Sequence, residues 1–213
     1  MKENREAIEL NGRKTHWEQV YTDKSPMEVS WYQREPALSL RLIQDGGVKR
    51  DGCILDVGGG ASVLADRLYE KGYKHISVLD ISSRALAFAQ QRLGDKAREI
   101  EWIEADVTEF KPPHQFSLWH DRAVFHFLTE ASDREKYVEA LKASLVQQGH
   151  LVLAAFAIGG PTKCSGLDIV QYDSSKLLRE LGSEFKLVEE LSETHITPGN
   201  REQKFSYFRL VKQ

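Results

Sequence analysis

The sequence predicts an α/β fold, doubly wound around a mostly parallel seven-stranded sheet with helices on both faces. Three observations lead there. The apolar run Ile54-Leu55-Asp56-Val57 enters the turn Gly58-Gly59-Gly60; a helical pattern follows, and a second run, Val78-Leu79, ends on Asp80. That is a βαβ unit. From Cys53 onward strand and helix patterns alternate, which implies parallel strands with crossover helices. The last two strand patterns, 185–190 and 204–211, have no helix between them and are expected to close the sheet as an antiparallel hairpin.

Residues 4–22 read as a helix anchored by Ile8, Trp17 and Tyr21. A polar and aromatic link follows over 23–33, then a helix over 35–45 with Leu38, Leu42 and Ile43 on one face, stopped by Gly46-Gly47. Strands are expected at 53–57, 75–80, 100–104, 116–120, 149–156, 185–190 and 204–211, and helices at 61–71, 83–93, 133–147 and 174–181. Ser132-Asp133-Arg134-Glu135 has capping-box spacing. Tyr137, Val138, Leu141 and Leu145 then recur at helical spacing. Ser174 is the expected cap of the next helix and Gly182 its stop. Repeats and low-complexity linkers are absent, so residues 1–213 are expected to form one domain, with 1–48 as a helical cap and 49–213 as the core.

The chain has 213 residues, 41% of them hydrophobic and 29% charged, enough for a sizeable core. A net charge of −3 leaves no basic footprint and argues against nucleic acid or an anionic membrane as partner. No apolar run nears the roughly 18 residues needed to span a bilayer. The N-terminal Met1-Lys2-Glu3-Asn4-Arg5-Glu6 lacks a signal-peptide core. Cys53 and Cys164 lie far apart, so a reducing, cytoplasmic setting is expected.

Gly58 and Gly60 lack Cβ atoms where backbone must approach a ligand. A helix starting near Ala61 would aim free N–H groups at the same spot, which suits a carboxylate. S-adenosylmethionine carries one on its methionine half, and Asp56 could meet its cationic amine. A dinucleotide fingerprint would want a glycine at 63, where this chain has Val63. Asp80 can accept both ribose hydroxyls, with Ile81 beside it as a further cofactor-binding candidate. Asp106 can take the adenine amino group while Val107 covers the ring. Each acid alone could be a solvated strand end or a helix cap. Together they stand at the carboxyl ends of three successive strands, along one crevice.

These motifs, Asp56-Val57-Gly58-Gly59-Gly60, Asp80 and Asp106-Val107, resemble those of class I, seven-stranded S-adenosylmethionine-dependent methyltransferases, over about residues 50–213. The resemblance implies strand order 3-2-1-4-5-7-6 with the last strand antiparallel. It also implies that Asp80 holds the ribose, Asp106 the adenine and the glycine turn the methionine half. The Trp17-Glu18-Gln19-Val20-Tyr21 and Trp31-Tyr32 pattern is similar to the segment preceding the core in several protein-lysine methyltransferases, where aromatics close over the cofactor. That implies a cofactor role for Trp17 and Tyr32; the alternative is that they dock the N-terminal helix. Asp121-Arg122-Ala123 resembles a segment of thiopurine-type and related small-molecule methyltransferases, which implies that Asp121 lies near the methionine moiety. It departs from the Asn/Asp-Pro-Pro-Tyr pattern of amino-methylating nucleic-acid enzymes.

The methyl acceptor is expected beyond the ends of the fourth and fifth strands. His126 is one general-base candidate, since imidazole titrates near neutrality; a packed or solvated histidine is the alternative. His195, in the link 193–199, is the second, against an ordinary hairpin loop punctuated by Pro198-Gly199. His120 and His126, six apart, are poorly spaced as metal ligands, and no metal is expected. The loop 159–168, with Cys164, is a candidate substrate wall. The function expected is methyl transfer to a small-molecule or protein side-chain nucleophile. Its rivals are a protein-lysine N-methyltransferase specifically, a non-catalytic S-adenosylmethionine-binding protein, and an NAD(P) oxidoreductase. The last would want the third glycine and a Tyr-x-x-x-Lys pair or second domain. Oligomeric state is left open.

Overall fold

A computed structural model describes the backbone over residues 2–213 and the side chains from residue 12 onward; Ile8 lies outside the described side chains. Two helices, α1 (Lys2–Asp23) and α2 (Ala37–Asp45), precede β1 (Cys53–Val57), α3 (Leu64–Glu70), β2 (His75–Asp80), α4 (Ser83–Leu93), β3 (Ile100–Glu104) and β4 (Phe116–Arg122). Then come α5 (Ala131–Ser144), β5 (Leu145–Phe156), the short strands β6 (Lys163–Cys164) and β7 (Leu167–Asp168), α6 (Ser174–Leu181), β8 (Phe185–Ile196) and β9 (Glu202–Lys212).

The main sheet has seven strands in the order β3-β2-β1-β4-β5-β9-β8. β1 pairs parallel with β2 and β4, β2 with β3, and β4 with β5, whereas β9 is antiparallel to both β5 and β8. The expected order and the closing hairpin both hold. Successive residues of a strand face opposite sides, so Ile54, Leu118 and Val152 pack with Leu42, Ile43 and Leu64, while Leu55, Trp119 and Leu153 pack with Tyr137, Leu141 and Leu177. Both faces of the parallel core are therefore dry, and its strands read as continuous apolar runs.

Several boundaries differ from the sequence reading, and four of them have an identifiable cause in the side chains or backbone nearby in space. The helix expected from 61 begins at Leu64, because the Arg92 guanidinium takes the carbonyls of Ala61 (2.9 Å) and Ser62 (2.6 Å) out of helical register. The capping box at Ser132 does not form: α5 starts at Ala131 after Glu130, whose side chain makes no cap. Arg134 instead ties the entry down by donating to the carbonyls of Leu128 and Thr129. The next helix is capped by Asp173 rather than Ser174, its Oδ1 accepting from the Lys176 N–H at 2.7 Å. Residues 145–147 belong to β5 rather than to the preceding helix, with a register shift and Gln148 at φ 61° where the strand is re-aimed.

Candidate active site

The carboxyl ends of β1 to β5 lie along one edge, where open α/β sheets bind ligands. Two clefts meet there. The larger, about 780 Å³ and open to solvent, is lined by Trp17, Gly58, Asp80, Ile81, Asp106 and Val107, and by Arg122, Phe127 and Cys164 farther along. The smaller, about 560 Å³, is lined by Tyr32, Asp56, Gly58 and Gly59. Gly58, Tyr21, Trp31 and Arg122 border both, so the two are one crevice with a seam at Gly58.

The seam needs glycine. Gly58 sits at φ 65°, and a Cβ there would collide with Val124 Cγ2. Gly60 lines neither cleft; a Cβ on it would strike the Asp80 carboxylate and Ala85. Its role is to let β2's acid close up beneath the turn.

Asp80 is buried. Its Oδ1 accepts from the Ser82 N–H at 2.8 Å. Burial pushes its carboxyl up to about 7, and the nearby charges of Asp56 and Glu18 add to the rise against the backbone hydrogen bonds of Ser82 and Ile81. Asp106 ends the next strand connection; its Oδ1 accepts from the Thr108 N–H (2.9 Å) and hydroxyl (2.7 Å). Asp106 Oδ2 faces Arg13 Nε at 3.4 Å without a hydrogen bond. Asp56 is paired across the sheet: β1 and β4 place it level with His120. The His120 Nδ1–H donates to Asp56 Oδ1 at 2.7 Å, and His120 Nε2 meets Ser39 Oγ at 2.9 Å. Asp56 Oδ2 has no hydrogen-bond partner, though it is buried.

Trp17 and Tyr32 reach the crevice from α1 and from the link after it. Trp17 stands edge-on to Trp31 (5.7 Å) and Phe127 (5.0 Å), forming an aromatic wall. α1 is held over this end by Glu18, which accepts from the Ser83 N–H at 2.7 Å, and by Arg13 beside Asp106 and Asp133.

Three sequence candidates stand apart from the crevice. Asp121 is fully buried and lines neither cleft; it accepts from the N–H groups of Val124 (2.8 Å) and Phe125 (3.1 Å) and from the Tyr137 hydroxyl (2.7 Å). It builds the turn that holds Ala123 at φ 73° and presses Val124 onto Gly58. His126 is also fully buried, pushed down to about 3 by desolvation. Its Nδ1 accepts from the Phe156 N–H, and its Nε2 is unpartnered. A base must reach its proton, so this geometry corrects the expectation placed on His126. His195 is not in a loop at all: β8 runs to Ile196. Its Nε2–H donates to the Ser30 carbonyl at 2.8 Å, burial lowers its basicity, and it borders a separate surface groove with Met27 and Pro198. The loop 159–168 folds into the β6–β7 hairpin and brings Cys164 to the larger cleft. There the thiol is pushed up to about 11 by burial, so it is protonated and serves as an apolar wall.

Sequence reading missed Arg122 as a lining residue, although it follows Asp121 at the end of β4. It also missed Arg13, one helical turn before Trp17, and the Asp56–His120 pair, which only sheet register reveals. Among the described residues no group of three or more His, Cys, Asp and Glu is arranged to hold a metal, and no helix is long and apolar enough to cross a membrane.

Comparison with known proteins places a methyltransferase domain at residues 54–149. Nodulation protein S of Sinorhizobium fredii (strain NBRC 101917 / NGR234) is 30% identical over 101 residues, 47% of this chain and 46% of that protein. The eEF1A lysine and N-terminal methyltransferase of Bos taurus is 23% identical over 157 residues, 73% of this chain and 22% of that protein. The chain thus spans less than half the length of either relative. Among solved structures, the N-methyltransferase NodS from Bradyrhizobium japonicum WM9 in complex with S-adenosyl-L-homocysteine superposes with TM-score 0.70 at 18% identity, covering 92% of this chain and 97% of that one. The 1,6-didemethyltoxoflavin-N1-methyltransferase of Burkholderia thailandensis gives TM-score 0.68 at 17% identity, covering 100% and 91%. At these identities the likeness is one of fold.

Proposed function

We propose that this chain, with a methyltransferase-domain match over residues 54–149 and a seven-stranded sheet, is a class I S-adenosylmethionine-dependent methyltransferase that transfers a methyl group to a small-molecule or protein side-chain nucleophile. One observation carries the reading: Asp56, Asp80 and Asp106, from the ends of three adjacent strands, border a single crevice whose seam is Gly58. The residues present suit the cofactor. Asp56 Oδ2 and Asp106 Oδ2 are buried acceptors without hydrogen bonds, and the turn at Gly58 leaves out the Cβ that would narrow the seam.

When bound, S-adenosylmethionine supplies a methyl group already activated on a positively charged sulfur. The protein's share is therefore binding and orientation. Asp80 accepts from the ribose hydroxyls and Ile81 packs beside it. Asp106 takes the adenine amino group with Val107 against the ring. Asp56, steadied by His120, meets the amine of the methionine half beside Tyr32. Trp17 and Trp31 exclude water from the acceptor side, and Asp121 acts at one remove by shaping the turn that carries Val124. The helices before β1 serve as a cap on the core 49–213; separately, the two free cysteines, Cys53 and Cys164, suit a reducing, cytoplasmic setting. The net charge of −3 favours an acceptor other than nucleic acid.

Calorimetry with S-adenosylmethionine, S-adenosylhomocysteine and NADH tests the cofactor assignment. Binding of the adenosyl compounds at micromolar concentration is expected; tight NADH binding without them would overturn it. Release of S-adenosylhomocysteine with a mixed acceptor panel then separates an enzyme from a protein that only binds the cofactor. A protein amine as acceptor is the second reading, favoured by the lysine-methylating relative that aligns with 73% of this chain.

A further inference from the structure

Arg122 ends β4 and borders both clefts, yet its side chain is only 9% accessible. Its head is fixed on three sides. Nε donates to the Tyr207 hydroxyl at 2.8 Å, Nη1 donates to the Trp31 carbonyl at 2.9 Å, and the Phe205 ring lies 4.6 Å from Cζ. Nη2 is buried and has no hydrogen-bond partner. Glu193 is 3.9 Å from it, beyond hydrogen-bond reach, and the Glu193 carboxylate already accepts from Gln33 and Tyr207. A buried guanidinium N–H without an acceptor is costly, and a planar fork held this rigidly is suited to a carboxylate. The groups that fix it come from β9 and the link before α2, on the side of β4 away from Asp80 and Asp106. The walls nearby are Trp17, Trp31, Phe127 and the protonated Cys164.

We propose that Arg122 anchors a carboxylate on the methyl acceptor, and that the acceptor is a small organic acid whose apolar or aromatic body lies against Trp17, Trp31 and Phe127. The inference rests on the cofactor assignment above. The methionine carboxylate of the cofactor is the competing occupant of the same guanidinium.

The test uses protein saturated with S-adenosylhomocysteine and the matched probes phenylacetate and phenylacetamide, followed by calorimetry or ligand-observed NMR. Failure to saturate with S-adenosylhomocysteine would count against the cofactor reading and not against Arg122. In the wild type the acid is expected to bind about ten-fold or more tighter than the amide, the effect of one charge-assisted hydrogen bond. Arg122→Gln is expected to abolish the preference. Glu193→Gln, which leaves Arg122 in place and removes the competing charge, is expected to tighten acid binding a few-fold and leave the amide unchanged. Equal binding of the two probes, binding of neither, a preference that survives Arg122→Gln, or acid affinity indifferent to Glu193→Gln would each overturn the proposal. So would an Arg122→Gln variant that loses affinity for S-adenosylhomocysteine but keeps it for the decarboxylated analogue, because the guanidinium would then belong to the cofactor. Should Arg122→Gln fail to fold, the wild-type probe pair and Glu193→Gln decide the matter.

Discussion

Replacing Asp80 by Asn should make the free protein more stable and the cofactor complex weaker. Burial holds this carboxyl at about 7 against an ordinary 3.8. A raised acid is a liability to the folded state once ionised. The free protein therefore loses stability from this group as pH climbs from 3.8 to about 7, and the gap of about three units caps that loss at roughly 4 kcal/mol. In the role proposed for Asp80, ribose hydroxyls donate to the ionised form, so cofactor binding is expected to run the other way. Affinity rises as pH increases through about 7 and then levels, with proton release on binding below that point. Asn keeps the shape and removes the charge. The Oδ1 side is already occupied by the Ser82 N–H, so the variant forfeits mainly the charged bond at Oδ2. At about 1.5–3 kcal/mol that is roughly a 10- to 100-fold loss in affinity. Calorimetry with S-adenosylhomocysteine on either side of neutrality, together with melts of the free protein, gives both numbers. Unaltered affinity and an unaltered pH profile in the variant would refute the ribose role; a free variant less stable than wild type in mild alkali would refute the account of Asp80's burial.

Gly58→Ala should cost about 1–2 kcal/mol from the left-handed backbone alone, more from the clash with Val124, and should abolish cofactor binding; Val124→Ala in the same chain should recover part of both, read by thermal melts and calorimetry. Asp121→Ala should lower the urea midpoint strongly, by on the order of 3 kcal/mol or more, because two N–H groups and the Tyr137 hydroxyl lose their acceptor. His126→Phe should retain turnover once an acceptor is in hand. It should also resist acid better than wild type: a histidine pushed down to about 3 removes stability as pH falls below 6.5, and Phe does not. Turnover lost in a well-folded His126→Phe would restore this residue as a base candidate.

Strand and helix periods, the glycine turn and the acids at strand ends are local signals, which is why the elements, the closing hairpin and the crevice could be anticipated; the sheet order came from the family resemblance those motifs carry. What the chain hid was long-range. Arg92, 30 residues beyond Ser62, decides where α3 begins. β8 runs past residue 190 because β9 pairs with it up to Ile196, and that turned an expected loop around His195 into strand. Asp121 and Arg122 are adjacent letters with opposite fates: one bonds the backbone of the next turn, the other points to the crevice. Strand alternation separates them, but sequence alone does not say which face is the ligand's.

The first helix carries a thermodynamic obligation. Arg13 and Trp17 lie over the larger cleft, and Glu18 fastens that roof to the start of α4. Whatever occupies the space beneath adds contacts that exist only while the roof is seated. By reciprocity the seated helix strengthens its lodger and the lodger slows the amide exchange of the helix. Glu18, far from the crevice acids in sequence, thereby contributes to how firmly the crevice holds its occupant.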